Sequence, residues 1–194
     1  MLDLSKSLIL LDFPEEFESE RLIIRSPLWG DGAAVNTAIR ESLEELRPWM
    51  PWAQQMPSIE ESEENVRLAR LKFMERKDLR LHLFAKDTGD FIGGSGLHRI
   101  DWEARKFEIG YWIRTSQSGK GLMTEAVKRI TLFAIESLLA NRIEIRCDSM
   151  NARSARLAER LGFNLEGILR NEKLDESGTL RSSMVFAKVR GYEF

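Results

Sequence analysis

A short glycine-containing segment, Ser118-Gly119-Lys120-Gly121, has the composition of an anion-binding loop. Glycines let the main chain approach a ligand closely, and the free N–H groups at the start of a helix point towards bound anions. The spacing excludes a phosphate-binding P-loop, which needs a glycine where Arg114 stands and a Ser or Thr where Gly121 stands. The segment is therefore either an anion-binding loop or a plain strand-to-helix turn.

Few other side chains could supply nucleophilic or metal chemistry. The chain has one cysteine and two histidines, too few for a structural zinc site, so no metal is expected. Cys147 lies in an apolar stretch, where a free cysteine is more often a small hydrophobe than a nucleophile. His98 could face a substrate groove, and packing at the surface or in the core is the alternative.

Hydrophobic periodicity predicts the elements that would position these residues. The predicted strands cover residues 17–25, 79–86, 91–100, 107–113, 142–148, 163–169 and 180–189. The predicted helices cover residues 31–47 (with Asp31 as N-cap), 58–76, a stretch within 119–139, and 151–161. This order predicts an α+β fold with a single mixed central sheet and helices on both sides, because a doubly wound fold would alternate strand and helix throughout. Residues 17–194 are predicted to form one domain after a loose N-terminal arm of residues 1–16.

Composition narrows the class of protein further. The chain has 194 residues, enough to bury a core without disulfides, and its net charge is -2. A weakly acidic balance argues against a dedicated nucleic-acid-binding protein. The apolar run at residues 8–11 is too short for a membrane span or a signal peptide. We therefore expect a cytoplasmic protein with neither membrane nor nucleic acid as a direct partner.

Four segments, taken in order, resemble the GNAT acetyltransferase superfamily and, within it, the Rim-type enzymes that acetylate the N-termini of ribosomal proteins. The segments are Arg47-Pro48-Trp49-Met50-Pro51-Trp52, Glu108-Ile109-Gly110-Tyr111-Trp112-Ile113, the glycine loop, and Asn151-Ala152-Arg153-Ser154 followed by Leu161-Gly162-Phe163. The loop is similar to the family's acyl-CoA pattern, Gln/Arg-x-x-Gly-x-Gly/Ala, at Gly121, and it departs from that pattern at Ser118 and Met123. The resemblance spans residues 17–189.

The resemblance implies acetyl-CoA as co-substrate and suggests a role for several residues. Glu108 would be the general base, acting on the amine through water, with Glu172 as the rival; the alternative for Glu108 is a charge paired with Arg105 or Lys106. Ser154 would protonate the CoA thiolate or contact the cofactor, because the Tyr that many GNAT enzymes place on this helix falls at Ala158. The implied cofactor-binding residues are Trp112, Ile113, Arg114, Gly119, Lys120, Gly121, Leu122, Met123, Thr124 and Asn151. The candidate acceptor-binding residues are Trp49, Trp52 and His98, with core packing as the alternative for the tryptophans.

The favoured function is an acetyl-CoA-dependent N-acetyltransferase acting on a primary amine, above all the N-terminal α-amine of a protein. Two alternatives stay open: an acetyltransferase for a small amine such as a polyamine, an amino acid or an antibiotic, and a non-catalytic acyl-CoA-binding module. The expected partners are acetyl-CoA and the acceptor, and a homodimer is a candidate assembly.

Overall fold

Residues 7–194 are described by the structure, a computed structural model, and they form strands and helices in the predicted order. The strands are β1 (Glu16–Glu18), β2 (Leu22–Arg25), β3 (Leu79–Ala85), β4 (Phe91–Asp101), β5 (Lys106–Ile113), β6 (Arg142–Asp148), β7 (Asn164–Leu174) and β8 (Leu180–Val189). The helices are α1 (Gly32–Leu46), α2 (Ile59–Met74), α3 (Leu122–Glu136) and α4 (Ala152–Arg160).

The strands form a single sheet in the order β1-β2-β3-β4-β5-β6-β8-β7. Neighbouring strands are antiparallel except β5 and β6, which are parallel and are joined through α3. Side chains of α1 and of the segment after it meet one face of the sheet, as in the contacts of Asp31 with His82 and of Trp52 with Trp112. Helix α4 meets the other face, where Ser154 contacts Tyr111. The predicted α+β sheet with helices on both sides is confirmed.

The two faces of the sheet are packed differently. The face towards α3 and α4 carries the main apolar core, to which β5 contributes Phe107 and Ile109 and α3 contributes Ile130 and Phe133, all at most 1% exposed. The face towards α1 and α2 carries polar side chains, including His82, His98 and Glu108, and glycines stand between them on the strands. A cavity therefore forms on this second face rather than in the apolar core.

Two predictions near the N-terminus are wrong. The stretch 17–25 is not one strand, because Ser19 and Leu22 form a turn: the Ser19 N–H donates to the Leu22 carbonyl at 2.9 Å, and the Leu22 N–H donates to Ser19 Oγ at 3.1 Å. The described part of the predicted arm is not loose, since Leu11 is only 4% exposed and the Phe13 ring packs against Phe73. The first six residues of that arm lie outside the described residues, and the boundary between arm and domain stays a prediction.

Asp31 stands at the predicted N-cap position of α1, but its side chain makes no capping hydrogen bond. Its carboxylate instead accepts bonds from Arg25 Nη1 and Nη2 at 2.8 and 2.7 Å and lies 2.8 Å from His82 Nδ1. The Asp31 carboxylate thereby joins the start of α1 to Arg25 on β2 and to the buried His82 on β3. Within residues 7–194 no helix combines the length and the apolar character that a membrane span requires.

Candidate active site

A groove of about 1640 Å³ lies on the α1–α2 face of the sheet and continues to the start of α3 and α4. It is lined by thirteen of the residues predicted from the sequence: Trp49, Trp52, His98, Glu108, Trp112, Ile113, Gly119, Gly121, Leu122, Met123, Thr124, Asn151 and Ser154. Two predicted residues do not line it. Arg114 turns to α1, where its Nε donates to Glu41 at 2.5 Å, and the Lys120 ammonium donates to Gln117 at 2.9 Å.

The sheet splits between β5 and β6 within this groove. The parallel pairing ends at Glu108 and Glu144, whereas β5 continues to pair with β4 as far as Ile113. The Arg114 N–H donates to the Ile92 carbonyl at 2.8 Å, so by the alternation of an antiparallel ladder Trp112 also pairs with β4. The main-chain N–H and C=O groups of Tyr111 and Ile113 therefore face the split. Trp112 and Arg114, which the resemblance implied as cofactor-binding residues, therefore direct their main-chain groups towards β4, although the Trp112 side chain does line the groove.

The glycine loop presents a row of free N–H groups. Gly119 and Gly121 both have φ of +78°, a left-handed conformation that favours glycine, and α3 begins only at Leu122. Among the described residues, none accepts a hydrogen bond from the main-chain N–H groups of residues 119–124. We call these six groups the N–H cradle. The positive end of the helix dipole and unpaired N–H groups together suit an anion such as a pyrophosphate.

An ion pair holds the start of α3 in place. The Glu125 carboxylate accepts hydrogen bonds from Ser19 Oγ at 2.7 Å, from the Arg21 N–H at 2.8 Å and from Arg21 Nε at 2.7 Å. Arg21 Nη1 also donates to the Lys120 carbonyl at 3.1 Å. These bonds turn the loop carbonyl away from the N–H cradle, and they lower the pKa of Glu125 despite its partial burial.

A hydroxyl pair lies at the split between β5 and β6. The hydroxyl oxygens of Tyr111 and Ser154 are 2.8 Å apart. Asn151 is the N-cap of α4, and its Oδ1 positions Ser154 by accepting a hydrogen bond from the Ser154 N–H at 3.1 Å. Burial raises the pKa of Tyr111 to about 12, so its phenol stays protonated. Ala158 is fully buried. Tyr111 thus places a phenol from β5 against α4, the helix on which the resemblance implied a tyrosine.

The two candidate bases have opposite environments. Glu108 is 17% exposed, and burial raises its pKa even though Arg99 lies 3.3 Å from its carboxylate. Glu172 forms an ion pair with Arg146, and hydrogen bonds from Ser183 and Arg146 lower its pKa. A carboxylate with a raised pKa is the stronger proton acceptor once it is ionised, so the geometry favours Glu108.

Aromatic rings cover the glycines of the groove floor. A Cβ atom on Gly94 would lie 2.6 Å from the Trp112 indole nitrogen, and Cβ atoms on Gly96 and Gly110 would each lie 3.0 Å from the His98 ring. The His98 ring is fixed by Asp78, whose carboxylate is 2.7 Å from Nδ1.

Two tryptophans extend this aromatic surface. Trp52 is 48% exposed and meets the Trp112 ring edge-on at 5.7 Å, so it forms a groove wall rather than a packed core. Trp49 is half-buried, lines the groove and lies under the Arg181 guanidinium, 6.0 Å from its ring centre.

Sequence reasoning overlooked Tyr111 and Arg80 as groove residues. Tyr111 is one of only two tyrosines and lies within a segment that the resemblance singled out, so its rarity was an available signal. Arg80 had no such signal, because it falls in a run of basic residues that is typical of a solvated face.

Comparisons with known proteins agree with this architecture. The family described as "Acetyltransferase (GNAT) domain" matches residues 21–164. The uncharacterized N-acetyltransferase p20 of Bacillus licheniformis is 36% identical over 98 residues, so the match spans about half of each chain, 50% of this one and 55% of p20. The ribosomal-protein-serine acetyltransferase of Escherichia coli is 28% identical over 127 residues, which cover 64% of this chain and 70% of that enzyme.

Solved structures show the same fold. The ribosomal L7/L12 α-N-protein acetyltransferase RimL in complex with coenzyme A superposes with a TM-score of 0.84 at 20% identity, over 92% of this chain and 99% of that one. The family match covers most of the chain and the fold match nearly all of it. The chain therefore belongs to the GNAT acetyltransferase family, whose enzymes use acetyl-CoA as co-substrate.

Proposed function

We propose that this protein transfers an acetyl group from acetyl-CoA to the N-terminal α-amine of a protein or peptide. The observation that supports it is the continuity of one groove, which joins the N–H cradle, the split between β5 and β6, and Glu108. A relative named for ribosomal-protein-serine acetylation supports the choice of acceptor. The proposal includes a cytoplasmic location and leaves a homodimer as a candidate assembly.

The N–H cradle fits the pyrophosphate of acetyl-CoA. Its six N–H groups are free, and a Cβ on Gly119 would meet nothing within 4 Å, so the main chain is open to a ligand there. The free main-chain groups of Tyr111 and Ile113 fit the pantetheine amides in the split, and one of these N–H groups would stabilise charge on the acetyl oxygen. Asn151 lines the same channel while it caps α4.

Glu108 would accept the proton of the amine, directly or through one water. An α-amine with an ordinary pKa of ~7.7–8.0 is already roughly 10–20% neutral at pH 7, whereas a lysine amine near ~10.4 is only about 0.04% neutral. A single half-buried carboxylate acting as the base suits the amine that needs less help. This difference favours the α-amine over lysine.

The hydroxyl pair of Tyr111 and Ser154 would donate a proton to the departing thiolate. Acetyl-CoA supplies the thioester, and the chain supplies a phenol whose raised pKa keeps it protonated at neutral pH. Ser154 bonds to that phenol, so it can orient the phenol or relay its proton. Ala158, a methyl group, cannot take this role.

Peptides that carry both a free N-terminus and an internal lysine test the proposal directly. After incubation with acetyl-CoA, tandem mass spectrometry locates the acetyl group, which we expect on the α-amine. Acetyl only on lysine would refute the α-amine assignment. Transfer to polyamines or amino acids and to no peptide would establish the small-amine alternative. Thermal stabilisation by CoA without turnover on any amine would establish a non-catalytic binding module.

A further inference from the structure

Arg80 is a cation on the groove floor that forms no salt bridge with any acid in the described part of the chain. It stands on β3 opposite Gly96 and lines the groove. Burial lowers the pKa of its guanidinium, an effect that only Asp78 opposes. Within residues 7–194 its single hydrogen bond is from Nη1 to Asn65 Oδ1 on α2, and it has no salt bridge.

The acids near Arg80 are already bound elsewhere. Asp78 holds His98 Nδ1 at 2.7 Å. Glu61, which also lines the groove, accepts the Ser58 N–H at 2.7 Å in the capping box of α2. Each carboxylate thus already has a partner of its own, and neither forms a salt bridge with Arg80.

Other arginines of the groove show the contrast. Arg99 pairs with Glu108 and Arg146 with Glu172, while Arg153, Arg156 and Arg160 are exposed on α4, where water solvates them. A partly buried cation without a counter-ion is unfavourable unless a ligand supplies the charge. The planar guanidinium fork has five N–H donors and fits a carboxylate with two parallel bonds.

Arg80 and the candidate base lie on the same face of the sheet, two strands apart. Arg80, Gly96 and Gly110 lie opposite one another across β3, β4 and β5, and Glu108 is two residues from Gly110. Strand spacing and rise then put the Cα atoms of Arg80 and Glu108 about 12 Å apart. The His98 ring lies against the two glycines between them, and both Arg80 and Glu108 line the groove.

A free α-amino acid carries its amine and carboxylate on one carbon, whereas a peptide with an acidic side chain places them several bonds apart. An extended peptide advances ~3.3 Å per residue, and an acidic side chain on its second or third residue can span the interval. We propose that Arg80, held by Asn65, is an anion subsite that selects peptide acceptors with a carboxylate on the second or third residue. This inference rests on the proposed α-amine acetylation.

Matched peptides test the subsite, with Asp or Asn as the second residue in one pair and as the third in the other. We expect the wild-type protein to prefer an Asp peptide in kcat/KM by about ten- to a hundredfold, the loss typical of a charged hydrogen bond. Arg80→Gln should abolish this preference mainly through KM, and Arg80→Lys should retain part of it. Arg67→Gln is the control, because Arg67 pairs with Glu63 and does not line the groove. CoA affinity should be unchanged in all three variants.

Two results would overturn the subsite: equal rates for Asp and Asn peptides in the wild type, or a preference that survives Arg80→Gln. A failure of the proposed function looks different, because then no peptide is acetylated at all. In that case the same variants are assayed with a small amine that bears a distant carboxylate and with its amide. A carboxylate preference that depends on Arg80 would keep the subsite, and equal rates would refute it.

Discussion

The replacement Glu108→Gln tests the assignment of the base most sharply, because it removes the charge and keeps the shape. Loss of a general base typically lowers the rate ~10²–10⁴-fold. Roughly 10–20% of an α-amine is already neutral at pH 7 without help from a base. We therefore expect a smaller loss in turnover, about ten- to a thousandfold. The loss should shrink towards about pH 9, where the α-amine is mostly neutral without help.

The assay is thiol release from acetyl-CoA with a peptide acceptor, followed across this pH range. Glu144→Gln is the matched control, because Glu144 stands beside Glu108 on β6 but is held by Arg142 Nε at 2.6 Å. Glu172→Gln tests the rival. Wild-type turnover of Glu108→Gln at pH 7 would refute the base assignment, and a large loss only in Glu172→Gln would transfer the role to that residue.

The same variant should be more stable than the wild type at neutral pH. Burial raises the pKa of Glu108, so the folded protein binds this proton more tightly than the unfolded chain. The free energy of unfolding then falls as pH rises from the pKa of Glu108 in the unfolded chain to its pKa in the folded protein. Above the folded pKa the loss is complete. Glu108→Gln escapes this penalty, so urea unfolding should show a gain at pH 7 and none below about pH 4. A loss of stability at pH 7 would mean that the pair with Arg99 outweighs burial.

Further predictions concern the other parts of the groove, each with a control elsewhere in the chain. Gly121→Val should weaken CoA binding at least tenfold by calorimetry, while Gly178→Val, at the same φ of +78° in the β7–β8 loop, should not. Tyr111→Phe should lower turnover about ten- to a hundredfold and leave the affinity for CoA unchanged. Tyr192, which is 85% exposed, supplies the control, because Tyr192→Phe should have no effect. Full activity of Tyr111→Phe would exclude the phenol as the acid. Trp52→Leu should raise KM for the acceptor and leave KM for acetyl-CoA unchanged. Trp29 lies outside the groove, so Trp29→Leu should change neither KM. A Trp52→Leu protein that fails to fold would point to core packing.

The apolar side of the sheet was predictable from the sequence because its signals are local and periodic. β6 and β8 have the predicted bounds. Helix α2 begins next to the predicted residue 58, where Ser58 forms a capping box in which the Glu61 N–H donates to Ser58 Oγ at 3.0 Å. Periodicity gives no information on which strand neighbours continue to pair. Periodicity therefore does not locate the split between β5 and β6, and of the implied residues Trp112, Ile113 and Arg114 only Ile113 directs its main-chain groups into it.

Polar contacts distant in sequence account for the other errors. Asp31 fits an N-cap by its position, but Arg25 and a histidine 51 residues away offer it stronger partners. Ala158 suggested that the thiolate acid was missing, because the phenol that reaches α4 comes from a residue 43 positions from Ser154. A sequence pattern reports neighbours along the chain, and these bonds depend on neighbours across the sheet.

The groove face of the sheet carries glycines within strands and partly buried charges, two features that normally destabilise a sheet. Both features occur at the same place. Glycines inside strands weaken pairing, yet Gly94, Gly96 and Gly110 lie together where the rings of Trp112 and His98 need room. On the same face Glu108 and Arg80 carry charges that burial disfavours. If these features served stability, neutral replacements there should destabilise the fold. If they serve binding, Glu108→Gln and Arg80→Gln should each gain stability as activity or selectivity is lost. Unfolding measurements on these two variants therefore distinguish a functional groove from an irregular core, independently of which acceptor is found.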